Sequence, residues 1–215
     1  METWIVGDVH GAIFTLEKLL KKLPRNARII FLGDLVDRGN FSKDVFELVT
    51  THYETLMGNH EYLMFNYIRD ALIRGKSSMW STNPAYGGEK TVRSYKDDLD
   101  TLMRHIELIP KLPKYLEIEG YFLTHGFGLP YYRQKKSKTR QLYVNRLEEP
   151  YPDWEEEWQS YKVINIFGHT AYEEPLFGKN YIGIDTGCGH GMRLSAVALH
   201  SHKTISVDVD ERDFA

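Results

Sequence analysis

The sequence of 215 residues has little cysteine and no long apolar run. Its one cysteine, Cys188, excludes a disulfide within the chain and is typical of a reducing compartment. No stretch approaches the ~20 consecutive apolar residues that a membrane-spanning helix needs, and the first residues lack the basic start of a signal peptide. We therefore predict a soluble, cytoplasmic protein that does not bind a membrane.

Strong net charge, internal repeats and long linkers are also missing. A formal net charge of -3 gives no overall attraction to nucleic acid, so no nucleic-acid partner is expected. With 42% hydrophobic and 27% charged residues, the composition is that of a globular protein with a proper core. We predict one domain over residues 1–215, acting as a monomer.

The first third of the chain alternates strand and helix candidates. This βαβαβα pattern favours parallel strands with helices on the outside. The strand candidates are TWIV, ARIIFLGD and YETLMGNH, and the helix candidates are IFTLEKLLKKL, SKDVFELVTTH and EYLMFNYIRDALIRG.

The pattern changes after Gly75. Residues of about 76–110 are mostly helical around a break, NPAYGGE, and we interpret them as a helical insertion. The remainder is rich in strand candidates, and short turns such as Glu119-Gly120 favour antiparallel pairing there.

A charged loop insertion of about 130–160 interrupts the strand-rich part. Its segment 133–140 carries five basic residues, and its segment 148–158 carries six acidic ones. One interpretation is a solvated surface loop with a basic part and an acidic part. The other is a mobile flap whose basic side attracts a phosphorylated substrate.

Polar residues of metal-binding type follow five of the strand candidates. The carboxyl ends of parallel strands meet at one edge of a sheet, where ligands gather. Carboxylates, neutral imidazoles and amide oxygens all bind divalent cations, so the set predicts a metal site. The five segments are GDVHG with Asp8 and His10, GDLVDRG with Asp34, Asp37 and Arg38, GNHE with Asn59 and His60, THG with His125, and FGHT with His169.

These motifs, in this order, resemble the calcineurin-like metallophosphoesterase superfamily. The forms GDLVDRG and GNHE are similar to its phosphoprotein phosphatase branch, and the tail IFGHT…YIGIDTGCG resembles small bacterial and bacteriophage serine/threonine phosphatases. The resemblance runs from about residue 4 to about 190. It implies an α/β fold in which two mixed β-sheets pack as a sandwich with helices on the outer faces, and a metal site at the strand ends.

The resemblance also implies two divalent metal ions. It favours Mn²⁺, although Fe or Zn would suit the same residues. The implied ligands are Asp8 and His10 for the first cation, Asp34 for both, and Asn59, His125 and His169 for the second.

Further roles follow from the same resemblance. A hydroxide bridging the metals would attack phosphorus directly, while Arg38, together with Asn59 at the metal, would bind the phosphate. His60 would protonate the leaving group, and Asp37 would orient His60. A second phosphate-binding arginine is expected in the charged insertion, where Arg146 is the first candidate and Arg140 the alternative.

We therefore predict a phosphomonoesterase that acts on phosphoserine or phosphothreonine in proteins, with phosphotyrosine left open. Its partner would be a phosphorylated protein or a small phosphoester. A symmetrical dinucleoside tetraphosphate hydrolase is the alternative within the superfamily, although such chains are usually longer. The alternative outside enzymes is a catalytically silent metal-binding scaffold, for which His60, Asp37 and Arg38 would have no use.

Overall fold

Ten strands form two five-stranded sheets over residues 2–147 and 155–215, the part of the chain that the computed structural model describes. Their bounds are β1 (Thr3–Val6), β2 (Arg28–Phe31), β3 (Glu54–Thr55), β4 (Tyr115–Ile118), β5 (Tyr121–Thr124), β6 (Ile164–Phe167), β7 (Leu176–Phe177), β8 (Tyr181–Gly183), β9 (Arg193–Ala198) and β10 (Thr204–Asp208).

Seven α-helices accompany these strands in the described residues. They are α1 (Ile13–Lys22), α2 (Ser42–His52), α3 (Asn59–Ile73), α4 (Met79–Thr82), α5 (Gly88–Tyr95), α6 (Leu99–Leu108) and α7 (Glu155–Gln159). Short 3₁₀ helices cover Ile109–Lys111, Leu129–Gln134, Gln141–Tyr143, Cys188–His190 and Glu211–Asp213.

Both sheets are mixed: the first is antiparallel at its β9 and β10 edge only, and the second is antiparallel at both edges. The first sheet has the order β10-β9-β1-β2-β3, with β1, β2 and β3 parallel. The second has the order β4-β5-β6-β8-β7, with β5, β6 and β8 parallel. The antiparallel pairing predicted for the second half holds for β4 and β5, which the Glu119-Gly120 turn joins, but is wrong for β5 and β6. The long connection between those two strands provides the crossover that parallel pairing requires.

Alternating side chains place the core on both faces of the first sheet. Ile30 of β2 packs between the two sheets, together with Leu123 of β5. Its neighbours Ile29 and Phe31 pack against the helices on the outer face. A third cluster, which includes Phe122, covers the outer face of the second sheet. The predicted fold class, two mixed sheets packed as a sandwich with helices outside, is confirmed.

The helices α4, α5 and α6 lie within the predicted insertion and pack against α2 and α3. Two of them begin with side-chain caps, because Ser78 accepts from the N–H of Ser81 and Asp98 accepts from the N–H of Thr101. The insertion therefore stands on the helical face of the first sheet. That residues 1–215 form one domain with two insertions stays a prediction.

The basic half of the charged insertion is built from 3₁₀ helices. Arg133 donates a hydrogen bond of 2.6 Å to Glu157 of α7, so the basic and acidic segments contact each other. Residues 148–154 of the acidic segment lie outside the described residues, and the flap interpretation remains open. None of the helices within the described ranges is long and apolar enough to cross a membrane.

Candidate metal centre and cleft

The carboxyl ends of parallel strands from both sheets meet at one place. Asp8 follows β1, Asp34 follows β2, His125 follows β5 and His169 follows β6. Asn59 stands at the first position of α3, where the prediction had extended β3. The strand is shorter than predicted: it ends at Thr55, and Asn59 and His60 form the first turn of the helix.

Asp34 lies at the centre of the arrangement. Its Oδ2 is 3.2 Å from Nε2 of His125, 3.7 Å from Nε2 of His10 and 3.9 Å from Nε2 of His60. Two groups of potential metal ligands share it. They are His10, Asp34 and His60, and Asp34, His125 and His169.

The start of α3 is fitted closely around the Asp34 carboxylate. Oδ1 accepts a hydrogen bond of 2.9 Å from the backbone N–H of His60, which also places a negative charge at the positive end of the helix dipole. A Cβ atom at Gly58 would lie 2.1 Å from the same oxygen. Only glycine therefore fits at that position of GNHE.

Two histidine rings are held in the tautomer that binds metals. The Nδ1 atom of His10 donates to the carbonyl of Val36 at 2.9 Å, and Nδ1 of His125 donates to the carbonyl of Leu32 at 3.1 Å. A carbonyl can only accept, so each Nδ1 carries a proton and each Nε2 faces Asp34. Metal-binding histidines are typically oriented by such a bond on the other ring nitrogen.

The remaining predicted ligands take different positions. Asn59 directs its Oδ1 at Nε2 of His125, 2.9 Å away, and so borders the second group. Asp8 accepts from the backbone N–H of His169 at 3.1 Å and lies 4.0 Å from Nδ1 of His125. Its carboxylate therefore borders the centre without joining either three-residue group.

The backbone is strained at these positions. Within the described ranges, seven non-glycine residues have positive φ angles. Five of them are His10, Asp34, Asp37, Arg38 and His169, with φ between 48° and 73°. Such angles cost free energy and cluster at functional sites. The strain thus coincides with the residues singled out from the sequence.

Buried carboxylates accumulate around Asp34. Burial, reinforced by Asp185, raises the pKa of Asp8 well above its usual value. Burial and the charge of Asp34 raise the pKa of Glu61 to about 7, and burial raises the pKa of Asp185. The group of four carboxyls therefore needs positive charge close by.

Without metal, protonated His125 supplies part of that positive charge. Burial opposes its protonation, but the carboxylates of Asp34 and Asp8 outweigh burial and raise the pKa of His125 to about 9. Burial likewise opposes ionisation of Asp34, yet His125 and His60 hold its pKa well below the usual value. Divalent cations fit this donor set, because they would balance the carboxylates while accepting the imidazole nitrogens.

His60 and Arg38 stand at the mouth of the centre. Nδ1 of His60 is 2.6 Å from Oδ2 of Asp37, and its Nε2 faces the guanidinium of Arg38 at 3.3 Å. The other guanidinium nitrogen lies 2.7 Å from Nε2 of His10. Carboxylate, imidazole and guanidinium thus form one connected set beside Asp34.

A cleft of about 210 Å³ opens above these residues. Arg146 lines the cleft and donates a hydrogen bond of 3.1 Å to the carbonyl of His169. Arg140 is not among the described lining residues. The lining consists of Asp34, Arg38, Asn59, His60, Arg146, His169, Thr170, Ala171 and His190.

Three contacts of the site were missed by the sequence analysis. Trp80 and Thr91 donate to Asp37 from the helical insertion, and nothing in their spacing indicates this. Glu61 accepts from the backbone of Asp34, Leu35 and Gly58. Its position three residues after Gly58 could have indicated a helix-capping role.

A family model matches most of the chain. It is the model of the calcineurin-like phosphoesterases, and it covers residues 1–190. The chain therefore belongs to the calcineurin-like phosphoesterase family, as the motifs predicted. Members are hydrolases that bind two divalent metal ions, which agrees with two ligand groups sharing one aspartate.

Curated relatives are similar over nearly their whole length. A protein of Oceanobacillus iheyensis, named asymmetrical bis(5'-nucleosyl)-tetraphosphatase PrpE, is 29% identical over 96% of this chain and 92% of the relative. A protein of the same name from Bacillus thuringiensis is 27% identical over 94% and 92% of the two chains.

Solved structures share the fold at lower identity. A protein provisionally named a diadenosine tetraphosphatase has a TM-score of 0.73 and 21% identity over 97% of this chain and 94% of its own. A cold-active protein-tyrosine phosphatase from a Shewanella species has a TM-score of 0.61 and 16% identity over 96% and 80% of the two chains. At these identities the likeness shows the fold alone.

The predicted phosphoprotein phosphatase activity, with a phosphorylated protein as partner, is wrong. The curated relatives are named dinucleoside tetraphosphatases, which favours the substrate class of the alternative within the superfamily, although their names give an asymmetrical and not a symmetrical cut. The alignment covers 92% of the Oceanobacillus relative, so the shorter length of this chain does not argue against that alternative. The error has a physical origin, because the motifs describe the metal and phosphate groups that these enzymes share, whereas the walls of the cleft select the substrate.

Proposed function

We propose that this protein hydrolyses dinucleoside tetraphosphates, cutting them asymmetrically. The observation that carries the proposal is the similarity, over more than nine-tenths of both chains, to relatives named for that activity. The cleft agrees in charge, since Arg38 and Arg146 line it, and His60 and His190 add further hydrogen-bonding groups. A chain of four phosphates is strongly anionic and suits such donors.

Two divalent cations would be held by the residues around Asp34. We assign Asp8 and His10 to the first, Asp34 to both, and Asn59, His125 and His169 to the second, with Mn²⁺ as the proposed metal. When bound, the cations neutralise charge on the phosphate and make water a better nucleophile.

The chain's own residues bind and orient the substrate. Arg38 lines the cleft with its guanidinium between His10 and His60, and we assign it, together with Arg146, to bind the phosphate chain. His60 holds a proton at Nε2 for the oxygen that departs, while Asp37 accepts from Nδ1 and fixes the tautomer. The departing group of an anhydride is a weak base, so we expect its need for that proton to be smaller than in an alkyl phosphate.

The test is a product analysis with diadenosine tetraphosphate and Mn²⁺. We expect ATP and AMP in equal amounts, and ¹⁸O from labelled water in only one of the two products. ADP as sole product would contradict the asymmetric cut. Hydrolysis of a phosphopeptide but not of the dinucleotide would overturn the proposal, and no turnover of either would favour the scaffold alternative. A His10→Ala preparation controls for contaminating hydrolases.

A further inference from the structure

The carboxylate of Asp37 is fully buried and accepts three side-chain hydrogen bonds. His60 Nδ1 lies 2.6 Å and Trp80 Nε1 lies 2.7 Å from Oδ2. The hydroxyl of Thr91 donates to Oδ1 at 2.5 Å. With both oxygens engaged from different directions, the carboxylate has one orientation, and the His60 ring is oriented with it.

Both additional donors come from the helical insertion. Trp80 belongs to α4 and Thr91 to α5, and the backbone N–H of Asp37 also donates to the Thr91 hydroxyl at 2.9 Å. A Cβ atom at Gly88 would lie 2.5 Å from the indole of Trp80. The close approach of α5 to this ring therefore requires glycine at that position.

The same insertion contacts the phosphate-binding arginine through its backbone. The N–H of Arg38 donates to the carbonyl of Gly87 at 3.2 Å. Arg38 has a positive φ of 67° and Asp37 one of 73°, so this segment needs external contacts to keep its shape. The insertion supplies them at both residues.

We propose that Trp80 and Thr91 are positioning residues, which hold Asp37 and thereby aim His60 at the departing oxygen. The inference rests on the role proposed above for His60 but not on the identity of the substrate. The helical insertion then contributes to catalysis through orientation rather than by touching substrate. Loss of either donor should leave Asp37 free to rotate and His60 poorly aligned.

The first experiment compares Trp80→Phe with a matched control, Trp4→Phe. Trp4 is also buried, 2% exposed, and its indole nitrogen has no hydrogen-bond partner among the described residues. The substrates are aryl and alkyl phosphates whose leaving groups differ in basicity. Trp80→Phe should lower kcat ~10–100-fold, the usual cost of an orienting contact, for the most basic leaving group. It should have little effect on the least basic one, with KM unchanged throughout, and Trp4→Phe should match wild type.

Conservative variants of Thr91 provide a rescue test. Thr91→Ser keeps the hydroxyl and should retain activity, whereas Thr91→Val keeps the shape and should behave like Trp80→Phe. In a His60→Asn background, Trp80→Phe should cause no further loss. Equal losses for every leaving group, or a further loss in that background, would mean a general structural role and would overturn the proposal.

A readout independent of turnover is proton NMR of the protein without metal. The indole N–H of Trp80 should appear far downfield because it donates to a charged oxygen, and it should move in Asp37→Asn. The Nδ1–H signal of His60 should broaden or vanish in Trp80→Phe but persist in Trp4→Phe. An unchanged His60 signal would overturn the proposal even if the protein hydrolysed no dinucleoside tetraphosphate.

Discussion

Glu61 accepts, through Oε2, a hydrogen bond of 2.9 Å from the backbone N–H of Asp34. The same carboxylate accepts from the N–H groups of Gly58 at 2.8 Å and Leu35 at 2.7 Å. One buried side chain at the start of α3 therefore joins the ends of β2 and β3. The geometry of the central aspartate depends on it.

Glu61→Ala should destabilise the protein by at least ~2–3 kcal/mol, because three buried N–H groups would lose their acceptor and each costs ~1–3 kcal/mol when unsatisfied. Metal binding should weaken too, since Asp34 would lose its support. Urea unfolding with a chelator present measures the first effect, and metal titration the second. Asp70→Ala, on the exposed side of the same helix, is the control. Equal stability of the two variants would contradict the role given to Glu61.

Asp34→Asn should weaken binding of both metal ions together. Asp34 is shared by the two ligand groups, and the change removes a full charge between two dications. Asp8→Asn should chiefly affect one ion, because we assign Asp8 to the first ion alone and it belongs to neither group that shares Asp34. Metal analysis and titration with Mn²⁺ distinguish the two. A single-site loss in both variants would show that Asp34 does not bridge.

The sequence predicted that polar residues at strand ends would lie together, and the reason is physical. Residues such as Asp8 and Asp34 stand directly after apolar parallel strands of one sheet, and the carboxyl ends of such strands lie at the same edge. Contacts across the fold carry no such pattern, since Asp37 and Thr91 are 54 positions apart and lie in different elements. The parallel pairing of β5 and β6 was missed because turn residues indicate only how strands joined by a short turn pair, and a long connection separates these two.

The prediction of the substrate was the larger error, and it too arises from residues that are far apart in the sequence. The cleft wall is formed by Arg146, Thr170 and His190, from three segments that only the fold brings together. The metal-binding motifs say nothing about that wall. The motifs therefore indicate the metal and phosphate chemistry but not the substrate.

Arg146→Ala should raise KM for diadenosine tetraphosphate ~10–100-fold, because a hydrogen bond to a charged group contributes ~1.5–3 kcal/mol. Metal content should not change. Arg140→Ala is the matched control, since Arg140 is not among the described residues that line the cleft. Steady-state kinetics of both variants provide the comparison. If only Arg140→Ala lost affinity, the phosphate-binding role would pass to Arg140.

His190→Ala should raise KM for the dinucleotide by a smaller factor of ~2–10, the range of an ordinary hydrogen bond. His190 is exposed and lines the cleft at the end of the Cys188–His190 turn. KM for para-nitrophenyl phosphate should stay unchanged, because that substrate has one phosphate and no extension. His200→Ala is an exposed control bonded to Glu119 instead. A parallel rise for both substrates would place His190 at the reacting phosphate.

Acidification should destabilise the protein partly through His105, which lies far from solvent at 1% exposure. Burial lowers the pKa of His105 below its ordinary value of 6.5, and its 2.5 Å bond to Glu47 lowers the pKa of that carboxyl. In both cases the unfolded chain binds more protons than the folded one, so the free energy of unfolding falls as pH falls.

For His105 the loss of stability begins near pH 6.5 and continues down to its folded pKa, while the part from Glu47 is lost only at lower pH. One proton corresponds to ~1.4 kcal/mol per pH unit. Urea unfolding at pH 7.5 and 5.5, with a chelator to remove the contribution of metal, should therefore show a smaller difference in His105→Gln than in wild type, by no more than the ~1.4 kcal/mol of one proton over one pH unit. His52→Gln, an exposed control on α2, should leave the difference unchanged, and a steeper dependence in His105→Gln would contradict the sign.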